Sequence, residues 1–167
     1  MDIELIPCSP ANLEHLLAGP DVFLTNYGLQ VAEDYLPFEG ALEHSLQQIQ
    51  SQAIWHPWLP YLFIWRPDRT LVGMGGFKAI PDSQRTVEIG YSVAPAYQGK
   101  GIATAAAQQL IVLAFSSGLV DCVCAHTLAE PSASTSVLQK CGMVQISEVT
   151  DPDDGPVWRW EIHRCMP

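Results

Sequence analysis

Two glycines, Gly99 and Gly101, lie between a run typical of a β-strand and a run typical of a helix that begins at Ile102. Glycine adopts positive φ angles without strain and lets the backbone approach a ligand closely. The N–H groups in the first turn of a helix have no helical partners, and the helix dipole adds partial positive charge there. The segment therefore predicts an anion site, to which the ammonium group of Lys100 and the hydroxyl group of Thr104 can add contacts.

Several anions are bound by turns of this type, and two of them fit poorly. A Walker P-loop is excluded, because Lys100 is followed by glycine and no glycine stands five residues before Gly99. A dinucleotide site is disfavoured, because Thr104 replaces the third glycine of GxGxxG. Asp121 also opens the next predicted strand, whereas ribose recognition needs an acid at that strand's far end. Two interpretations remain: a site for the pyrophosphate of coenzyme A, and a tight turn that binds no ligand.

Alternation and turn residues predict the strands around this segment. The runs over 61–66, 70–79 and 86–93 are short, β-rich and joined by turns, which predicts an antiparallel meander. The three glycines of the middle run predict a β-bulge or a close approach of a neighbouring backbone. Further extended segments are predicted over 3–7, 120–127, 143–149 and 157–163.

Capping residues and apolar spacings predict four helices, over 10–18, 40–53, 102–117 and 132–140. Residues 21–38 have weak periodicity and are left unassigned. The third helix separates two strands, so these strands are predicted to run parallel as a βαβ unit. The fold class is therefore α/β (α+β), with a mixed, mostly antiparallel sheet in a single domain over residues 1–167.

Composition narrows the function classes. The net charge of −10 argues against nucleic acid as a partner, because phosphate contacts need clustered Lys and Arg. The same charge favours a cationic partner such as an amine, although solubility alone explains it equally well. No apolar run reaches the roughly 18 residues of a membrane span and no basic signal region is present, which predicts a cytoplasmic location. The five cysteines show no CxxC spacing, so no metal site is predicted.

At this point the sequence resembles a known family. The segment Gln98–Ala103 matches the (Arg/Gln)-x-x-Gly-x-(Gly/Ala) signature of the GNAT acetyltransferase superfamily. The strand Glu88–Val93 precedes it and the segment Val137–Met143 follows it, in the order and spacing of the family. The set most resembles the branch that contains ribosomal-protein N-terminal acetyltransferases and many small-molecule acetyltransferases. The likeness covers residues 70–143, and the N-terminal third agrees only in the order of its elements.

The resemblance implies a fold with splayed central strands and acetyl-CoA bound between them as co-substrate. It also implies that the N–H group of Ser92 or Val93 polarises the thioester carbonyl. The residues that it places against the cofactor are Tyr91, Ser92, Val93, Gln98, Gly99, Lys100, Gly101, Ile102, Ala103, Thr104, Ser132 and Ser134.

The resemblance further implies direct attack of a primary amine on the thioester. Free alkylamines are mostly protonated near pH 7, so a general base is expected. Glu88 holds the position where several family members place a glutamate base, and a partly apolar cleft would raise its pKa toward neutrality. A solvated or ion-paired Glu88 is the alternative. His126 is a second candidate base, although a strand histidine with a structural partner is the simpler interpretation.

Two positions depart from the family's pattern. Pro131 or Ser132 stands where many members have an asparagine, and Leu138 stands where many have a tyrosine acid. A CoA thiolate leaves readily near neutral pH, so Tyr91 or water can serve in place of that acid. The departures leave open a non-catalytic acyl-CoA-binding or sensing module. The leading hypothesis is an N-acetyltransferase for a small-molecule amine or a peptide N-terminus; the acceptor, and the choice between monomer and homodimer, stay open.

Three further segments bear on the acceptor. The aromatic residues around Pro57 and Pro60 either line an acceptor pocket or pack in the core. By the family resemblance, residues 21–38 border the acceptor side. The acidic segment 151–155 lacks the distal glutamate of a calcium loop and predicts a solvated hairpin.

Overall fold

The structure, a computed structural model, describes residues 2–165. Eight strands and five helices follow one another in these residues: β1 (Ile3–Pro7), α1 (Pro10–Ala18), α2 (Pro20–Tyr27), β2 (Gln30–Val31), α3 (Ala41–Gln50), β3 (Pro60–Trp65), β4 (Thr70–Phe77), β5 (Thr86–Val93), α4 (Ile102–Ser116), β6 (Cys122–Leu128), α5 (Ala133–Lys140), β7 (Val144–Asp151) and β8 (Gly155–His163).

The strands form one twisted sheet in the order β1-β3-β4-β5-β6-β8-β7, and the short β2 pairs with β4. β5 and β6 run parallel, as predicted for the strands on either side of α4, and β2 also runs parallel to β4. The other pairs are antiparallel. The predicted α/β (α+β) class with a mixed, mostly antiparallel sheet is confirmed.

The central pair of strands separates partway along its length. β5 pairs with β6 only from Thr86 to Glu88. Beyond Glu88, β5 stays with β4 as far as Val93, while β6 stays with β8 as far as Leu128. A gap therefore opens between the two strands, as the family resemblance implies, and α4 begins beside it.

Successive side chains of a strand point to opposite faces of the sheet. Both faces therefore carry apolar side chains, and helices cover both. Ile89 and Val93 of β5 pack with Ile102, Ala106 and Leu110 of α4 in one core cluster. The opposite face packs α1, α2 and α3 in a second cluster; its members include Leu13, Phe23, Leu62, Leu71 and Met74. Since burial of one such side chain contributes about 1.5–3 kcal/mol, the first cluster holds β5 against α4.

Close backbone packing explains the glycines of β4. A Cβ atom at Gly75 would meet the carbonyl oxygen of Gly90 and the Cα atom of Tyr91 well inside van der Waals contact, and Gly73 is equally crowded by β5. The β3–β4 register also shifts between Phe63 and Ile64. Both features predicted from the glycines, a close approach and a bulge, are present.

The clearest differences from the sequence prediction lie between α1 and β3. Residues 21–38, left unassigned, contain most of α2, which ends at Gly28 in the left-handed region, and the two-residue strand β2. The helix predicted over 40–53 ends at Gln50, because residues 51–53 form a turn. The helix α2 packs on α1 and the strand β2 pairs with β4, and periodicity along the chain does not reveal these contacts.

The aromatic residues near Pro57 are divided between core and surface. Trp58 is 1% exposed and meets Phe77 edge to face, with ring centroids 5.1 Å apart. The Tyr61 hydroxyl donates to the Pro57 carbonyl over 2.8 Å, and this residue is also buried. Trp55 is exposed. Core packing, and not an acceptor pocket, is therefore the role of Trp58 and Tyr61.

Candidate active site

A cavity of about 420 Å³, here called the turn cavity, lies at the start of α4. Gly99 and Gly101 adopt left-handed φ angles of 76° and 77°, which glycine tolerates without strain. The first bond of the helix runs from the N–H of Ala105 to the carbonyl of Gly101, over 3.0 Å. The preceding N–H groups, from Gly101 to Thr104, are therefore outside the helical ladder and are available to an anion.

The structure brings most of the predicted cofactor residues together around the turn cavity. The lining includes Tyr91, Ser92, Val93, Gln98, Gly99, Gly101, Ile102, Ala103, Thr104 and Ser134. The Gln98 side-chain amide also donates to the Val93 carbonyl over 3.0 Å, which ties the turn to the end of β5.

Two predicted residues are placed elsewhere. The Lys100 ammonium lies over the ring of Tyr97, 4.9 Å from its centroid, and Lys100 does not line the turn cavity. Ser132 caps α5: its hydroxyl accepts from the Thr135 N–H over 3.3 Å. It lines a different cavity. Lys140, at the end of α5, lines the turn cavity and was not predicted; its charge alone, without knowledge of how α5 packs on α4, does not identify it.

The hydrogen-bond pattern of β5 shows which amides face the gap. The Ala94 N–H donates to the Val72 carbonyl over 2.7 Å, and the Glu88 carbonyl accepts from the Lys78 N–H over 2.9 Å. Backbone groups of successive strand residues point to opposite sides, so the even-numbered residues of β5 bond to β4. The N–H groups of Tyr91 and Val93 therefore face the opening toward β6. Of the two predicted oxyanion donors, Ser92 and Val93, only Val93 is oriented for that role.

A second cavity, of about 590 Å³ and here called the central cavity, lies where β5 and β6 separate. It shares Tyr91 and Ser134 with the turn cavity, so the two meet at these residues. Its other walls come mainly from α3, β4, β6, α5 and the segment before α3; they include Phe38, His44, Met74, His126 and Leu138. Of residues 21–38, only Pro37 and Phe38 belong to this wall, so the expectation that the whole segment borders the acceptor side stays a prediction.

Three titratable side chains meet beside the central cavity. The Glu88 Oε1 atom lies 2.8 Å from the Lys78 Nζ atom and 2.9 Å from the His126 Nδ1 atom. The side chains of Glu88 and His126 are 27% and 24% exposed, so this pair is partly shielded from water.

The predicted rise in the pKa of Glu88 is wrong. Burial of the carboxyl group does act to raise its pKa, but the hydrogen bonds and charges of Lys78 and His126 outweigh it, and the net pKa is lowered. Glu88 is therefore a carboxylate at neutral pH, with less affinity for a proton than a free glutamate. Lys78, which directly follows β4, and His126 of β6 produce this result.

Tyr91 lies at the junction of the two cavities. Its hydroxyl points toward the Ser134 carbonyl at 3.5 Å. Burial raises the pKa of Tyr91 to about 12, so the phenol stays protonated and remains a hydrogen-bond donor at every ordinary pH. Leu138, which replaces the family's tyrosine, is 1% exposed and forms an apolar part of the wall.

A third cavity, of about 530 Å³ and here called the hairpin cavity, lies between the start of α5 and the turn that joins β7 to β8. The Asp151 carboxylate accepts from the N–H groups of Asp153 and Asp154, over 2.8 and 3.0 Å, and these bonds lower its pKa. The predicted hairpin is confirmed. Asp154 also lines the central cavity, so the hairpin adds negative charge at its mouth.

One group of potential metal ligands lies away from these cavities. One donor atom each from Cys122, Glu161 and His163 falls within 4.8 Å of the others. Both oxygens of Glu161 are already engaged, by Arg159 and His163, over 2.8 Å each. That the chain has no metal site is a prediction from the sequence.

Comparison with known proteins supplies the family. The model of the acetyltransferase (GNAT) domain matches residues 5–144. No curated protein sequence matches the chain. Among helices in the described residues, none is long and apolar enough to cross a membrane.

Solved structures resemble the chain over nearly its whole length. The microcin C7 self-immunity acetyltransferase MccE, solved with acetyl-CoA and AMP, is 18% identical, with 98% of this chain and 93% of that chain covered and a TM-score of 0.71. A mutant of spermidine N-acetyltransferase SpeG from Vibrio cholerae is 16% identical, covers 97% and 94%, and has a TM-score of 0.68. The ribosomal-protein-S5-alanine acetyltransferase from Vibrio fischeri is 14% identical, covers 98% and 93%, and has a TM-score of 0.68. At these identities the likeness shows a shared fold.

Proposed function

The chain belongs to the GNAT acetyltransferase family, and from that premise we propose that it transfers an acetyl group from acetyl-CoA to a primary amine. The observation that carries the proposal is the junction of two cavities at Tyr91 and Ser134. One cavity offers unpaired N–H groups to an anion, and the other is large enough for a small amine or the end of a peptide.

The turn cavity fits the pyrophosphate of coenzyme A. The N–H groups from Gly101 to Thr104 and the α4 dipole supply the donors that a pyrophosphate needs. Lys140 adds a cation to this wall, which matters because the chain as a whole carries a net charge of −10. Tyr91 and Val93 present their backbone groups to the opening, where an extended thioester arm can pair with them.

The residues of the junction then have distinct tasks. The Val93 N–H stabilises the oxygen on which negative charge develops as the amine attacks the thioester carbonyl. Tyr91 donates a hydrogen bond to the departing sulfur, and the Glu88–His126 pair receives the proton of the amine. Glu88 belongs to this machinery as an anion.

The acceptor is a small-molecule amine or a peptide N-terminus. The acids near the central and hairpin cavities, including Asp151 and Asp154, favour an acceptor that arrives as a cation. From the sequence we also propose that the chain forms one domain over residues 1–167. We further propose that it belongs to the branch of ribosomal-protein N-terminal acetyltransferases. Proteins of similar fold include a spermidine N-acetyltransferase and a ribosomal-protein-S5-alanine acetyltransferase, so the assay should contain both classes of acceptor.

Calorimetric titration with acetyl-CoA is the first test, with NADPH as the control ligand. Binding of acetyl-CoA and not of NADPH is expected, and no binding of acetyl-CoA at millimolar concentration overturns the proposal. Thiol release is then followed with spermidine, an aminoglycoside and a peptide that begins with alanine. Tight binding with no thiol release over the whole panel would favour the alternative, a non-catalytic acyl-CoA-binding module, which the loss of the family's tyrosine at Leu138 suggests.

A further inference from the structure

His126 stands between Glu88 and the central cavity. The ring lines both the central and the hairpin cavities, whereas Glu88 lines only the hairpin cavity. The His126 Nδ1 atom lies 2.9 Å from the Glu88 Oε1 atom. An acceptor in the central cavity therefore meets the imidazole before it meets the carboxylate.

We propose that His126 is the general base of this chain and that Glu88 is a positioning residue that acts through it. The inference rests on the proposed function, since it assigns the proton of the acceptor amine. A carboxylate can only accept hydrogen bonds, so the bond to Glu88 requires the proton on Nδ1. The lone pair of the neutral ring is then on Nε2, which has no part in the bond to Glu88.

The engagement of Glu88 argues against direct proton transfer to its carboxylate. One oxygen of Glu88 already receives both the Lys78 ammonium and the His126 ring. Two donors on one carboxylate oxygen lower its basicity. The same carboxylate orients the histidine, because the bond to Glu88 holds the proton on Nδ1 and leaves the Nε2 lone pair free to accept one.

The proton and electron balance of the step is simple. The acceptor arrives as an ammonium and first releases one proton to solvent. The neutral amine nitrogen then forms a bond to the carbonyl carbon and gives a second proton to His126 Nε2. The carbon–sulfur bond breaks, and its electron pair leaves with sulfur. The imidazolium then releases its proton to solvent through the hairpin cavity, and the thiolate takes one proton from solvent.

The charged groups near His126 come from β5, β7 and β8 and from the turn that follows β4. Glu88 and Asp151 are negative, whereas Lys78 and Arg159, the cross-strand partner of His126 on β8, are positive. Cys124 shares this face of β6, two residues from His126. Asp154 and Glu130 line the adjoining cavities and add negative charge farther out.

The first test needs no acceptor. Long-range ¹⁵N–¹H correlation spectra of the intact protein report which imidazole nitrogen carries the proton. We expect the Nδ1–H form for His126 once the ring is neutral, and a detectable share of the other tautomer in Glu88→Gln. An Nε2–H tautomer in the wild type would overturn the proposal, even if acetyl transfer is observed.

The second test uses single-turnover thiol release with the best acceptor of the panel. His126→Asn should lower the rate about 100-fold or more, the usual loss for a general base. Glu88→Gln should lower it less than His126→Asn does, because the ring keeps its place in the wall of the central cavity and loses only the partner that orients it. His163→Asn is the matched control: this histidine also bonds to a glutamate, over 2.8 Å, and lies outside the cavities. Its rate should not change.

Chemical rescue separates a base from a structural residue. Added imidazole should restore the rate of His126→Ala at least tenfold, with an efficiency that follows the basicity of substituted imidazoles. No rescue, or a larger loss in Glu88→Gln than in His126→Asn, would assign the proton to Glu88. Failure of acetyl-CoA to bind would defeat the proposed function and the base role together. An Nε2–H tautomer would defeat the base role alone, because the tautomer is read without any ligand.

Discussion

Replacement of Tyr91 by phenylalanine tests how the leaving sulfur is stabilised. The ring packs between two cavities, and the substitution keeps the ring and removes only the hydroxyl. The one protein contact that is lost, to the Ser134 carbonyl at 3.5 Å, is weak. Folding should therefore change little, and any effect on rate should report the hydroxyl itself.

The magnitude follows from the pKa of Tyr91. Burial raises that pKa to about 12, whereas a thiol has a pKa of about 8.5. Complete transfer of the phenol proton to the thiolate would therefore cost about 5 kcal/mol. Tyr91 should act as a hydrogen-bond donor that keeps its proton. A hydrogen bond to a charged group contributes about 1.5–3 kcal/mol, which corresponds to a factor of about 10 to 150 in rate.

Rapid-mixing measurement of thiol release in a single turnover is the suitable assay, because slow product release cannot then hide the chemical step. The rate should fall by the factor given above, and the affinity for acetyl-CoA should stay within about twofold of the wild type. Tyr27→Phe is the matched control, since the Tyr27 hydroxyl bonds to His15 over 2.9 Å, away from the cavities. An unchanged single-turnover rate in Tyr91→Phe would refute this role.

Three further predictions concern charge and backbone geometry. The pKa of Glu88 is lowered in the fold despite burial, so its stabilisation is present above the ordinary glutamate pKa and is lost as pH falls through the folded value. The difference in Tm between the wild type and Glu88→Gln, measured from pH 7 to pH 3, should therefore shrink on acidification, and a constant difference would contradict the ion pairing. Gly75→Ala places a methyl group against the backbone of β5 and should cost about 2 kcal/mol or more in urea unfolding. In Gly99→Ala the added methyl group meets no atom within 4 Å, so this variant should lose only about 1–2 kcal/mol of unfolding free energy through its positive φ. Equal losses in the two variants would count against the crowding of Gly75 by β5. Lys140→Gln should weaken acetyl-CoA binding by about two- to fivefold at low salt, with the difference fading at high salt, and Lys100→Gln, whose side chain lies over Tyr97, should have the smaller effect.

Most of the fold follows from local patterns in the chain. Ser9 and Pro10 start α1 as predicted, since a capping side chain and its helix are neighbours in sequence. The strand β5 has the predicted bounds, Thr86–Val93, because alternation and the flanking turns define it. Residues 21–38 could not be assigned, because α2 and β2 owe their form to contacts with α1 and β4.

The residues of the candidate site were also only partly predictable from the sequence. The turn between β5 and α4 could be read from sequence, because its glycines, its free N–H groups and its helix start all lie within a few residues. Lys140 could not, because it reaches the turn cavity only through the packing of α5 on α4.

What the sequence by itself determined is the order of elements, the anion-binding turn at Gly99 and Gly101, and the family resemblance. All three depend on residues that are close along the chain. What only the tertiary structure decided is the direction of the Glu88 pKa shift and the contact of Glu88 with His126, 38 residues away. The reason is physical: burial alone would raise that pKa, and the outcome reverses only because the sheet brings Lys78, just after β4, and His126 of β6 to one carboxylate oxygen.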